Sequence, residues 1–168
     1  VKAAMQIILP EFESLIFVND SVYADKTGKE TRRVAKVKIK GLSRPVPLNS
    51  LGDGMLRILQ LVLKVFPAKG GFLLIDEFEN GLHYSVQEKV WILLFELAEK
   101  LDIQVFATTH SWDCIESFSK VAMDKKSIEG VLFRVGQSVR NSDEGRVIAT
   151  VFDEQQLYNI TQADVEVR

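Results

Sequence analysis

Two adjacent carboxylates, Asp76 and Glu77, directly follow the apolar residues 73–75. A short run of Leu and Ile predicts a central parallel strand that is buried on both faces. In an open α/β sheet, ligands bind at the carboxyl ends of the strands. One carboxylate could therefore orient the water shell of a metal ion while the other faces a reacting water molecule. The alternative interpretation of the pair is an acidic helix cap.

A second apolar run, residues 103–107, ends in Thr108, Thr109, His110 and Ser111. An imidazole beside hydroxyl groups at a strand end can hydrogen-bond a phosphate oxygen. The amphipathic segment between the two runs predicts a helix, and a strand-helix-strand crossover is right-handed. The sequence therefore predicts that His110 lies at the same sheet edge as the two carboxylates.

A polar turn with two glycines, residues 48–54, precedes an apolar helix predicted over residues 55–66. The free N–H groups and the positive dipole end at a helix N-terminus favour an anion, and glycines allow it to approach the backbone closely. The turn is thus a candidate phosphate contact.

In this order, the turn, the run LIDEFENGLH at residues 74–83 and the run ATTHS at residues 107–111 resemble the ABC-class ATPases. More narrowly, they resemble the AAA-type ATPases related to the OLD and RecF groups. The resemblance covers about residues 50–118 and identifies the runs as Walker B with a D-loop and as the switch histidine. It implies an α/β fold, with a P-loop NTPase-like parallel sheet, flanking helices and added antiparallel hairpins.

The resemblance implies ATP and Mg²⁺ as ligands and a role for each matching residue. Asp76 would organise Mg²⁺ through water, and Glu77 would polarise the attacking water. His110 would contact the γ-phosphate. Five other residues would contact the nucleotide or face a partner subunit: Ser50, Gly52, Gly54, Asn80 and Gly81.

The register of the signature-like turn stays open. Aligning Arg57 with the arginine of the helix that follows the ABC signature puts Leu51, not Ser50, at the position of the signature serine. Either the Ser50 hydroxyl reaches the phosphate after a shift of one residue, or the amides of residues 52–54 carry the contact alone.

The sequence contains no Gly-x-x-x-x-Gly-Lys-Ser/Thr motif. Its Gly28-Lys29 pair is followed by Glu30, and Tyr23 stands where the first glycine would be. A P-loop supplies most contacts to the β- and γ-phosphates. We therefore expect the chain to be the C-terminal part of a longer ATPase whose P-loop lies upstream of Val1, with a pseudo-ATPase as the alternative.

Length and composition predict one domain, because 168 residues with 46% hydrophobic content can bury a sizeable core. Within it we expect a basic antiparallel hairpin over residues 12–40, the signature, Walker B and switch core over residues 48–123, and a closing hairpin with a C-terminal helix over residues 130–168. Phe78 and Phe106 are expected to pack in the core.

The single cysteine, Cys114, and the lack of a long apolar run or signal peptide favour a cytoplasmic protein without membrane contact. Residues 26–44 contain eight basic residues and one acid, although the net charge of the chain is −2. A solvated edge strand explains the lysines of this segment better than nucleic-acid contact does.

Two functions remain open. The leading hypothesis is an ATPase that acts as a homodimer bridged by ATP, in a branch whose members act in DNA repair or phage defence. The alternative is a scaffold that uses bound nucleotide to hold DNA or an effector protein without turnover. Glu77 favours the enzyme, because a scaffold does not need a general base.

Overall fold

The computed structural model describes residues 1–20, 32–125, 129–138 and 145–163. The α-helices of these residues are α1 (Lys2–Met5), α2 (Asp53–Val65), α3 (Tyr84–Leu101), α4 (Trp112–Asp124) and α5 (Glu154–Gln162), and two 3-10 helices span Leu48–Leu51 and Phe66–Ala68. The strands are β1 (Phe12–Asp20), β2 (Arg32–Ile39), β3 (Val46–Pro47), β4 (Phe72–Ile75), β5 (Gln104–Ala107), β6 (Leu132–Gln137) and β7 (Val147–Phe152).

Strands β4 and β5 form the parallel sheet that positions the candidate site. Their register pairs Phe72 with Gln104 and Ile75 with Ala107, and α3 makes the crossover between them. The residues that follow the two strands therefore leave the sheet at the same edge. This arrangement is the one predicted from the order of the apolar runs.

The prediction that both faces of this strand are buried was wrong. Leu73 is buried, but Phe72 and Leu74 are 65% and 75% exposed, and Phe106 on β5 is 49% exposed. Side chains alternate between the faces of a strand, so one face of the pair meets the core. No element among the described residues covers the other face, which is why Phe106 is not a core residue.

The core lies between α2, α3, α4 and the covered face of the sheet. Phe78, just after the carboxylates, is fully buried and stacks on Trp91 with ring centroids 3.6 Å apart. Trp91 in turn meets the edge of Phe118 on α4. Burial raises the pKa of the Cys114 thiol to about 11, so at neutral pH it is an uncharged packing residue.

Antiparallel strands flank this core, in agreement with the predicted fold class. β2 pairs with β1 and with β3, and β6 pairs with β7. The two expected hairpins require turns over residues 25–30 and 141–145. All of the first turn and most of the second lie outside the described residues. The expected C-terminal helix is α5, which Asp153 caps through a capping box with Gln156.

On β2, Lys38 is exposed and forms an ion pair of 3.0 Å with Glu13, while Lys36 is half-buried. An exposed pair of this kind contributes little to stability. In the part of the chain that the structure describes, no helix is both long enough and apolar enough to cross a bilayer.

Candidate functional site

Thr108, the first residue after β5, holds the first carboxylate in place. Its hydroxyl donates a hydrogen bond of 2.6 Å to Oδ1 of Asp76 and accepts one of 3.0 Å from the N–H of Glu77. The parallel register places residues 76 and 108 side by side, just beyond the paired ends of the strands. Both carboxylates stay exposed at this edge, so they are accessible to a ligand.

Glu77 has a strained backbone, with φ of 46° in the left-handed region. Such a conformation in a residue other than glycine costs about 1–3 kcal/mol and persists only where its surroundings hold it. Here the Thr108 hydroxyl accepts from the N–H of Glu77, and the Glu77 carbonyl accepts from the Asn80 N–H at 3.0 Å. The side-chain amide of Asn80 also donates to Oε2 of Glu77 at 3.4 Å.

Arg57 on α2 ties the helix to this strained turn. Its Nη2 donates to the carbonyls of Asp76 and Glu77 at 2.9 and 2.8 Å. These carbonyls belong to neither a helix nor a strand, so the guanidinium supplies partners that regular structure does not. The helix that follows the signature-like turn is therefore coupled directly to the backbone of both carboxylates.

We expect Arg57→Met to lower the free energy of unfolding of this chain by about 1.5–3 kcal/mol. The variant keeps most of the aliphatic packing but loses two hydrogen bonds to a charged donor. Urea unfolding followed by circular dichroism measures the change. Arg44→Met, at an exposed arginine, is the matched control, and equal stability of the two variants would contradict the coupling.

Glu79 links the turn after β4 to the segment after β5. Its Oε1 accepts a hydrogen bond of 3.0 Å from the N–H of His110. Burial alone would raise the pKa of Glu79, but the hydrogen bonds from His110 and Thr109 and the nearby imidazole lower it below its ordinary value. The side chain is therefore an anion at neutral pH, although it is half-buried.

The signature-like turn and the turn that follows β4 touch each other at two glycines. A Cβ on Gly54 would lie 3.0 Å from the carbonyl oxygen of Gly81 and 3.0 Å from Cδ1 of Ile8. Gly81 itself has φ of 75°, and a Cβ there would lie 3.4 Å from Cβ of Asp53. Both glycines thus permit a close approach of backbone that a side chain would prevent.

Ser50 lies in the short 3-10 helix Leu48–Leu51, Gly52 is the N-cap residue of α2, and both are exposed. The Ser50 hydroxyl donates to the carbonyl of Pro47 at 2.6 Å, within its own turn. No side chain caps the N-terminus of α2, and Asp53 places an acid in its first turn. Leu51 is half-buried against the core. The Ser50 hydroxyl is thus engaged within its own turn, whereas the amides at the start of α2 have no side-chain cap.

The donor chemistry of this edge fits Mg²⁺ bound together with a nucleotide. Asp76, Glu77 and Thr108 offer oxygen atoms, which Mg²⁺ prefers. Among the described residues, no group of three or more His, Cys, Asp and Glu is arranged to hold a metal. Phosphate oxygens and water would complete the coordination shell, as is usual for Mg²⁺ in ATPases.

The structure reveals three residues that the sequence reasoning did not assign to the site: Thr108, Arg57 and Glu79. The position of Thr108 could have indicated its role, because Thr108 and Asp76 are each the first residue after their strand. Arg57 could have been found too, as a charged residue in an otherwise apolar helix. Nothing in the sequence indicated the role of Glu79, since an acid in a polar turn is most often a solvated residue.

His83, by contrast, caps the N-terminus of α3. Its Nδ1 accepts from the N–H of Ser85 at the start of α3. This leaves His110 as the histidine of the described site.

A protein-family comparison matches residues 16–113 to the family described as "AAA domain, putative AbiEii toxin, Type IV TA system". An ATP/GTP phosphatase of Helicobacter pylori is 34% identical over 101 residues, which are 56% of this chain and 26% of that protein. An uncharacterized protein of Methanocaldococcus jannaschii is 34% identical over 97 residues, covering 56% of this chain and 84% of that protein. The chain thus spans about a quarter of the Helicobacter protein.

Solved structures with a similar fold include heads of SMC ATPases. A chain from a study of ATP-driven dimerization and DNA-stimulated activation of SMC ATPases aligns with a TM-score of 0.60 at 13% identity, covering 99% of this chain and 89% of that one. An SMC head bound to the C-winged helix domain of ScpA aligns with a TM-score of 0.54 at 15% identity, covering 90% and 40%. These likenesses confirm the predicted fold class.

Proposed function

We propose that the complete protein binds and hydrolyses ATP, because this chain belongs to the AAA-domain family that matches residues 16–113. The membership confirms the AAA-type resemblance of the sequence. The observation that carries the proposal is the Thr108 hydroxyl, which binds both Asp76 Oδ1 and the Glu77 N–H. It holds the carboxylate of Asp76 and the backbone of Glu77 at a sheet edge where both side chains are exposed, and pre-organised groups of this kind favour catalysis over simple binding.

In this proposal Asp76 orients Mg²⁺ through water, and Glu77 accepts a proton from the attacking water. Bound Mg²⁺ would neutralise charge that develops on the phosphate oxygens. Three hydrogen bonds to its backbone support the role of Glu77, since they fix the direction of its side chain. His110, on the neighbouring segment, contacts the γ-phosphate.

The proposal assigns the remaining phosphate contacts to a P-loop, which this sequence does not contain. One face of the parallel sheet is covered by none of the described elements. This supports the assignment, because Phe72, Leu74 and Phe106 would gain burial against further elements. We propose accordingly that the chain is one domain, the C-terminal part of an ABC-like ATPase.

The site is proposed to be shared between two subunits. The uncapped N-terminus of α2 would meet the γ-phosphate of the partner through the amides near Gly52 and Gly54. Asn80 and Gly81 lie beside this turn and would face the same partner. Asp53 weakens this contact electrostatically, so the amides must outweigh one negative charge.

Non-hydrolysing scaffolding is the second candidate, with DNA or an effector protein as its partner. The basic strand β2 is the feature that favours it, although Lys38 already pairs with Glu13. A scaffold would bind ATP without hydrolysing it, whereas the enzyme would bind ATP and hydrolyse it.

The proposal predicts that Asp76→Asn in the complete protein raises the Mg²⁺ concentration for half-maximal ATP turnover by about tenfold. The amide keeps the shape of the side chain and a hydrogen bond with Thr108, but it loses the negative charge that attracts the metal. Steady-state ATPase assays over a Mg²⁺ titration measure this change. Asp113→Asn, at an exposed aspartate in the first turn of α4, is the control.

Absence of turnover in the unaltered complete protein, with ATP still bound, would favour the scaffold. An unchanged Mg²⁺ requirement in Asp76→Asn would remove that residue from the metal site.

A further inference from the structure

His110 lies in a short link between β5 and the N-terminus of α4. Its neighbours are held by local contacts: the Thr109 hydroxyl accepts from the Ser111 N–H at 3.1 Å, and the Ser111 hydroxyl accepts from the Cys114 N–H at 3.3 Å. The hydrogen bond from the His110 N–H to Glu79 is different, because it joins residues 31 positions apart. It ties the backbone of His110 to the turn that carries the carboxylates.

The carboxylate of Glu79 is not a solvated surface charge, because the residue is half-buried. Its Oε2 is shielded from solvent, and its Oε1 is directed to the His110 amide. Removing a carboxylate from water is costly unless hydrogen bonds compensate for it. The His110 imidazole is itself exposed, so few side-chain contacts restrict it and its position depends on its backbone.

We propose that Glu79 is the positioning residue for His110: its carboxylate holds the His110 backbone so that the imidazole faces the reacting phosphate. This inference rests on the proposed ATPase function and adds a residue to it. Glu79 acts through His110 and does not itself touch the nucleotide. Glu79 lies in the turn that the hydrogen bond from the Asn80 N–H to the Glu77 carbonyl closes. Its bond to His110 therefore also sets the position of His110 relative to Glu77, the proposed base.

The kinetic test is a double-mutant cycle in the complete protein. Glu79→Ala removes the acceptor and is expected to lower kcat roughly tenfold, with the KM for ATP changing less than about threefold. Glu79→Gln keeps an oxygen that accepts the same N–H, so its kcat should stay within about threefold of the unaltered protein. With His110 replaced by alanine, Glu79→Ala should cause no further loss, because the group that it positions is gone.

A second test does not depend on activity. In the 168-residue chain, hydrogen exchange followed by NMR reports the protection of the His110 amide. We expect Glu79→Ala to speed its exchange at least about tenfold and Glu79→Gln to change it little, because only the alanine removes the acceptor. Exchange of the Leu157 amide in α5 is the internal control for overall stability.

The outcomes separate this inference from the proposed function. A loss in kcat that glutamine rescues and that vanishes in the His110→Ala background supports the inference. The same loss in both backgrounds, or no loss in Glu79→Ala, overturns it while the ATPase proposal stands. If the unaltered protein shows no turnover, that proposal fails, and unchanged exchange at His110 in Glu79→Ala would overturn the positioning role on its own.

Discussion

Glu77→Gln in the complete protein is expected to slow ATP hydrolysis in a single turnover by at least about 100-fold, while ATP binding is retained. Glutamine has the shape of glutamate and can keep the hydrogen bond with Asn80, but its amide cannot accept the proton of the attacking water. The backbone bonds that hold Glu77 do not involve its carboxylate, so they survive the change. The effect should therefore fall on chemistry and not on folding.

Rapid-mixing assays with radiolabelled ATP, with enzyme in excess, would measure the hydrolysis step directly. Calorimetry on the same variant measures ATP affinity. Glu99→Gln, the same chemical change at an exposed residue near the end of α3, should hydrolyse ATP normally. A rate for Glu77→Gln within about threefold of the unaltered protein would remove Glu77 from the role of base.

Phe78→Ala is expected to lower the free energy of unfolding of the chain by about 3–5 kcal/mol. Phe78 is fully buried, and its ring stacks on Trp91 at a centroid distance of 3.6 Å with the planes 8° apart. Alanine would leave a cavity between the turn and α3. Because Phe78 follows Glu77 directly, the cavity would also loosen the strained residue that the site depends on.

Urea unfolding followed by circular dichroism measures this loss. Phe133→Ala on β6 is the matched control, because that ring is 59% exposed and its removal should cost at most about 1 kcal/mol. Similar losses in the two variants would show that the stacked pair does not anchor the turn.

The sequence by itself determined the fold class and the set of elements that form the site. Two apolar runs that end in polar residues, with an amphipathic helix between them, predict a parallel crossover because few arrangements satisfy both burial and handedness. The approximate meeting of Asp76, Glu77 and His110 at one edge follows from that topology alone. The family match then agreed with the motifs at residues 74–83 and 107–111.

The tertiary structure alone decided which side chains hold that site together. Hydrogen bonds between residues 19 to 32 positions apart hold the site: from Thr108 to Asp76, from Arg57 to the carbonyls of Asp76 and Glu77, and from His110 to Glu79. A hydrogen bond forms or fails on shifts of a few tenths of an ångström in atomic position. Residue type and spacing along the chain do not specify positions to that precision.

Burial of the sheet was decided in the same way. Apolar residues on both sides of β4 favour burial of both faces, but they do not say which elements cover them. In the described residues one face packs on helices and the other, with Leu74 75% exposed, does not. The composition of a strand is a local property, whereas its covering depends on every other element of the protein, and this is the physical reason that only the tertiary structure could decide it.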